Sequence, residues 1–161
     1  MTSDILSISA HLPEIDLAPG EALIREGGDA GSLWVLVSGA LRVMKGDVSV
    51  NTINQPGAVV GEMSLLLGGR HSATVEAAEP TRVRVAVDGH ALLEDDPLFT
   101  KLVATGLAER LAYVTTYLAD LTRQYGDAPG LSIVSSVLSD LEHRKSRRAE
   151  TGSLREPDPD Y

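Results

Sequence analysis

The chain has 161 residues, no cysteine and a formal net charge of −9. Its length and 43% hydrophobic content suit one core-bearing domain with a tail, and the missing cysteines exclude disulfides and a thiolate-held iron–sulfur cluster. The acidic balance disfavours a nucleic-acid partner. With no apolar run near the ~20 residues of a membrane span and no signal-peptide pattern, a cytoplasmic protein without a membrane partner is expected.

In chain order, residues 1–18 read as a short lead-in, helical around Ser3–Ser9. From Glu21 to Val87 come short β runs: Ala22–Arg25, Leu33–Val37, Ala40–Met44, Val48–Ile53, Thr74–Ala77 and Arg82–Val87. Turn signals at Gly27-Gly28-Asp29, Gly39, Gly46-Asp47, Pro56-Gly57 and Gly68-Gly69 separate them. Many short strands at regular spacing predict a mainly β fold, a sandwich or jelly roll. Arg82 and Arg84 alternate with Val83 and Val85, as on a half-solvated strand rather than a basic binding patch.

Within this region, Val60 to Val75 puts a short apolar turn of helix directly after Gly61, followed by Arg70 and His71. The N–H groups of a helix N-terminus beside basic residues suit a phosphate. A carboxylate there, Glu62, is electrostatically misplaced unless it holds a hydroxyl, which points to a sugar phosphate.

The period then changes. Asp88 can cap a short helix over Gly89–Glu94, and a long helix is predicted over Leu98–Tyr125. Leu107, Leu111, Val114, Leu118, Leu121 and Tyr125 form a heptad seam along it, from which a parallel homodimer is expected; packing of one stripe on the barrel is the alternative. After a linker at 126–130, a helix over Leu131–Arg144 carries the stripe Ile133, Val134, Val137, Leu138 and Leu141. This stripe either packs back on the barrel or dimer, or docks an unknown protein partner. The cluster His143–Arg148 reads as a solvated helix end, favourable to the helix dipole. The expected division is 1–18 lead-in, 19–97 barrel, 98–125 long helix, 126–145 linker and amphipathic helix, and 146–161 polar tail.

Gly61-Glu62-Met63-Ser64-Leu65 and Ser72-Ala73-Thr74-Val75 resemble the phosphate-binding cassette of the cyclic-nucleotide-binding domain family, which includes catabolite-activator proteins, protein kinase A regulatory subunits and bacterial cyclic-nucleotide-gated channels. Pro19-Gly20-Glu21, Ile24-Arg25-Glu26-Gly27, Asp29, Leu33-Trp34-Val35-Leu36, Ser38-Gly39 and Leu41-Arg42-Val43 extend the resemblance to about residues 13–125. It implies a β-jelly-roll (double-stranded β-helix) barrel followed by a dimerisation helix, with cyclic AMP or cyclic GMP as ligand and no metal. It also implies a site of Val60, Gly61, Glu62, Met63, Ser64, Arg70, His71, Ser72 and Ala73. Glu62 would hold the ribose 2′-hydroxyl. The N–H groups of Gly61, Met63 and Ser64, with the side chain of His71 or Arg70, would hold the cyclic phosphate. Ser72 and Ala73 would close the pocket; Thr115, Thr116 and Tyr117 would either meet the base or be ordinary exposed helix residues beside the dimer seam.

One departure stands out: His71 occupies the position of the family's phosphate-binding arginine, and Arg70 that of the preceding proline. Arginine grips a phosphate with a planar, always-charged fork, whereas histidine offers at most one such bond and full charge only when protonated. Residues 126–161 are fewer than a helix-turn-helix domain needs, so a stand-alone regulatory module is expected, signalling to a separate protein through its C-terminal helices. The alternative is a degenerate member acting as a ligand-independent interaction module. Catalysis is not expected: no serine sits in a nucleophile elbow, and His11, His71, His90 and His143 show no metal-ligand spacing.

Overall fold

The structure, a computed structural model, describes residues 2–126 and 132–143. Its elements in order are α1 (Thr2–Ile8), β1 (Glu14–Leu17), β2 (Ala22–Ile24), β3 (Leu33–Ser38), β4 (Leu41–Lys45), β5 (Val48–Ile53), β6 (Val59–Val60), α2 (Glu62–Leu67), β7 (Thr74–Ala77), β8 (Thr81–Ala86), α3 (Gly89–Asp95), α4 (Pro97–Tyr125) and α5 (Ser132–His143). The strands form two antiparallel four-stranded sheets, ordered β1-β8-β3-β6 and β2-β7-β4-β5. The chain repeatedly crosses between them, giving the jelly roll the sequence predicts.

β3 explains how the interior is organised. Its run Leu33-Trp34-Val35-Leu36 is apolar without interruption, as befits a strand covered on both faces. Side chains alternate across a strand, so Leu36, with Trp34 packed alongside, faces a cluster between the sheets. That cluster also holds Leu17, Ile24, Leu41, Val60, Val75, Ala77 and Val83. Leu33 and Val35 face a second cluster with Ile5, Leu65, Ala86, Phe99 and Val103, which joins α1, α2 and the start of α4 to the barrel.

Two strands fall outside the predicted set. β1 carries the charged residues Glu14 and Asp16, and pairing with β8 makes it a strand: Arg82 Nε donates to Asp16 Oδ1 at 2.7 Å and Arg84 Nε to Glu14 Oε1 at 3.1 Å. The Arg82 guanidinium holds the Asp16 carboxyl below its ordinary range. Arg84 also donates to the Leu6 carbonyl (2.6 Å) and Ser9 Oγ (3.1 Å), fastening α1 to the sheet. β6 is two residues long, too short to show a period, and exists through its pairing with Trp34 and Val35. The first sheet thus begins at Glu14, inside the stretch read from sequence as a lead-in.

Helix boundaries follow local chemistry. The Asp88 carboxylate accepts from Ala91 N–H, capping α3 as expected, and Asp96 accepts from Phe99 N–H at the start of α4. Pro97 occupies the first position of α4, where its missing N–H has no cost. Thr100 Oγ1 donates to Leu93 O, linking the two helices.

The chain divides into two compact units, 1–108 and 109–161. In the second, Leu111, Val114 and Tyr125 of the heptad seam are exposed, while Leu118 and Leu121 are half-buried. On α5, Ile133 and Val137 are exposed and Val134 and Leu138 half-buried. The linker 127–130 and the tail, with most of the basic cluster 143–148, lie outside the described residues.

Candidate functional site

β6 ends at buried Val60, and the chain turns into α2 through Gly61, whose φ of 94° lies in the left-handed region that favours glycine. A Cβ there would sit 2.8 Å from the Ser32 carbonyl oxygen and 3.0 Å from the Trp34 ring, so glycine is required by space as well. This close approach sets the start of α2 against β3. Leu65, on the inner face of the helix, anchors it in the second cluster. Gly89 of α3 approaches so closely that a Cβ would meet Leu65 Cδ2 at 3.0 Å and Leu33 Cγ at 2.9 Å.

Glu62, the first residue of α2, is 4% exposed, and His71 is 7% exposed. Among the described residues these are the two buried titratable side chains, and both belong to this loop. His71 Nδ1 lies 3.2 Å from Ser64 Oγ, tying the far end of the cassette to α2. The His71 ring also faces Trp34, with centroids 6.4 Å apart and planes tilted by 52°.

The backbone decides which basic residue turns inward. His71 N–H donates to Gly28 O at 2.9 Å, and Gly27 N–H donates to His71 O at 2.8 Å. Arg70 and Asp29 form an antiparallel bridge beside this pair. In such extended pairing successive side chains point to opposite sides. His71 is therefore turned into the fold. Arg70 is turned out, its side chain 75% exposed, donating to Gly27 O at 3.1 Å and lying 3.8 Å from Asp29 Oδ1. Gly28 is restricted as well, since a Cβ would meet Arg25 O at 2.9 Å.

Of the remaining predicted site residues, Met63 and Ser72 are exposed and Ser64 and Ala73 half-buried. The Ser72 carbonyl accepts from Lys45 Nζ, which also pairs with Glu26 at 2.8 Å. Glu26 accepts a further bond from Gly46 N–H, and these two donors hold its carboxyl below the usual range. Thr115 is half-buried and Thr116 and Tyr117 are exposed, all in the second unit. From sequence, Gly27-Gly28 reads only as a turn and Trp34 only as part of a strand; their roles in fixing His71 and Gly61 come from long-range pairing. Among the described residues no group of three or more His, Asp or Glu is arranged to hold a metal, and no helix is long and apolar enough to cross a membrane.

The family model for the cyclic nucleotide-binding domain matches residues 14–94, and the chain belongs to this family. The chain is 38% identical over 64 residues to the cAMP-dependent protein kinase type II regulatory subunit of Drosophila melanogaster, a match covering 40% of this chain and 17% of that subunit. It spans a fifth or less of the length of the curated relatives it matches. Among solved structures, one from work on a cyclic-GMP-dependent signalling pathway that regulates bacterial phytopathogenesis is similar at a TM-score of 0.56 and 26% identity, covering 72% of this chain and 95% of that one. The catabolite activator protein of Thermus thermophilus shares the fold at a TM-score of 0.56 and 23% identity, covering 86% and 83%.

Proposed function

We propose that this protein is a regulatory module that binds cyclic AMP or cyclic GMP at the α2 cassette and passes its occupancy to a separate protein through its C-terminal helices. The observation that carries this reading is the burial of Glu62 at the head of α2 within a chain of this family. Carboxylates are seldom buried in a protein interior, and a ribose hydroxyl is a fitting donor to one held at a ligand site. In this reading Glu62 receives the 2′-hydroxyl, the backbone around Gly61–Ser64 and the His71 side chain receive the cyclic phosphate, and Val60, Ser72 and Ala73 border the ring. The role is binding, not catalysis, with no metal. The exposed seam residues Leu111, Val114 and Tyr125 support a homodimer through α4.

A ligand that binds one arrangement of the helices more tightly than another shifts the population toward it, which is the signal a partner would read. The second reading, a ligand-independent interaction module, is favoured by the histidine at the phosphate position and disfavoured by the retained, buried Glu62. Calorimetric titration of ligand-free protein with both nucleotides separates them. Micromolar or tighter binding that weakens roughly tenfold to a hundredfold in Glu62→Ala supports the sensor, whereas no binding at millimolar concentration selects the interaction module.

A further inference from the structure

We propose that nucleotide binding by this chain is linked to protonation of His71, so that affinity rises as pH falls through the range in which imidazoles titrate. The inference rests on the nucleotide reading above and adds a regulation to it. Its starting point is the inventory of cations around the cassette. Arg70 is turned outward and engaged with Gly27 O and Asp29. Lys45 is engaged with Glu26 and the Ser72 carbonyl. Arg25, in the β2–β3 connection, is exposed. His71 is left as the buried side chain able to carry positive charge inside the cassette.

The elements packed on His71 set its surroundings. From α2 comes Ser64, at 3.2 Å from Nδ1, and the same helix carries the buried acid Glu62. From β3 comes the uncharged Trp34 ring. The connection before β3 contributes the Gly27 and Gly28 backbone, with Arg25, Glu26 and Asp29 as its charged residues. With Nδ1 next to Ser64, the other ring nitrogen, Nε2, is the one available to a ligand. Neutral imidazole gives Nε2 a proton only in one tautomer, and without charge. Imidazolium carries protons on both nitrogens, donating one to Ser64 Oγ and one to a phosphate oxygen. An anion alongside favours the charged form, so binding takes up a proton from solvent wherever the free ring is neutral. An arginine at the same place would grip the phosphate at every pH of interest. The substitution thus converts a constant anchor into a conditional one, and a charge-assisted bond corresponds to roughly tenfold to a hundredfold in affinity.

The test is calorimetric titration of the full chain with cyclic AMP and cyclic GMP at about pH 5.5 and about pH 8, in buffers of different ionisation enthalpy. The expected result is affinity roughly tenfold or more weaker at the higher pH, with up to about one proton taken up on binding. His71→Arg should bind tightly at both pH values and His71→Gln weakly at both. Emission from Trp34, the single tryptophan and the neighbour of His71, checks that each variant keeps the local fold. Equal wild-type affinity at both pH values without proton uptake overturns the linkage and leaves the nucleotide reading intact. Binding by His71→Arg with none by the wild type at either pH overturns the linkage and the nucleotide reading of the natural chain together. Absence of binding in every protein, His71→Arg included, removes the nucleotide reading and the linkage with it. If neither variant folds, the wild-type pH dependence and proton count decide alone.

Discussion

The barrel has two interiors, and they differ in what they connect. The cluster between the sheets is built around buried strand residues, among them Leu17, Leu36, Leu41 and Val83. The second cluster is assembled from five elements and places Leu65 of the cassette helix in the same apolar mass as Phe99 and Val103 of α4. Close-packed interiors transmit displacement because they have little free volume. Both interiors border the candidate site, the first through Val60 and Trp34, but the second also holds Phe99 and Val103 and so can couple the site to the long helix.

The sharpest way to break this distinction is a pair of truncations. Phe99→Ala should cost about 3–5 kcal/mol and Leu36→Ala about 2–5 kcal/mol, both sites being essentially inaccessible to solvent. Denaturant melts would measure this. Titration under folding conditions should then show nucleotide affinity altered by Phe99→Ala and unchanged by Leu36→Ala; equal effects on affinity would remove the functional difference between the two interiors.

A smaller perturbation enters the second interior by overpacking. Gly89→Ala places a methyl against Leu65, Leu33 and the Gly31 carbonyl, at a cost of about 1–3 kcal/mol. A shift of α2 should appear as altered Trp34 emission, since the start of α2 rests on that ring. Next, Glu62→Ala should reduce nucleotide affinity roughly tenfold to a hundredfold, with little change in thermal midpoint. A large fall in midpoint instead would make Glu62 a structural residue.

The smallest effect concerns Glu26 at the cassette's outer edge. Lys45 and Gly46 N–H hold its carboxyl below the ordinary range, so the unfolded chain binds this proton more readily than the folded one. The stabilisation is fully present above the ordinary carboxylate range and is lost as pH falls through the folded value. Asp16, on edge strand β1 and held down by Arg82, behaves with the same sign. Glu26→Gln should therefore slightly flatten the acid side of a midpoint-versus-pH curve, and added salt should shrink the difference because the pair is exposed.

Much of this architecture is legible in the residues. The turn glycines, the apolar runs between them, the Asp88 cap and the change to helical period after Pro97 are local signals, and each reappears in place. The family was also legible, because the spaced motifs around Gly61 and Ser72 are dense enough to be specific.

What the sequence by itself determined is most of the elements, the jelly roll and the family, since these depend on short-range pattern and side-chain chemistry. Tertiary structure alone decided which of two adjacent basic residues faces inward. Arg70 and His71 are equally plausible as a string, and the choice falls to two hydrogen bonds with Gly27 and Gly28, more than forty residues earlier in the chain. Likewise β1 and β6 are strands because β8 and β3 lie alongside them. A short segment's own preferences are weak, and pairing across the sheet supplies the energy that fixes its register and its facing.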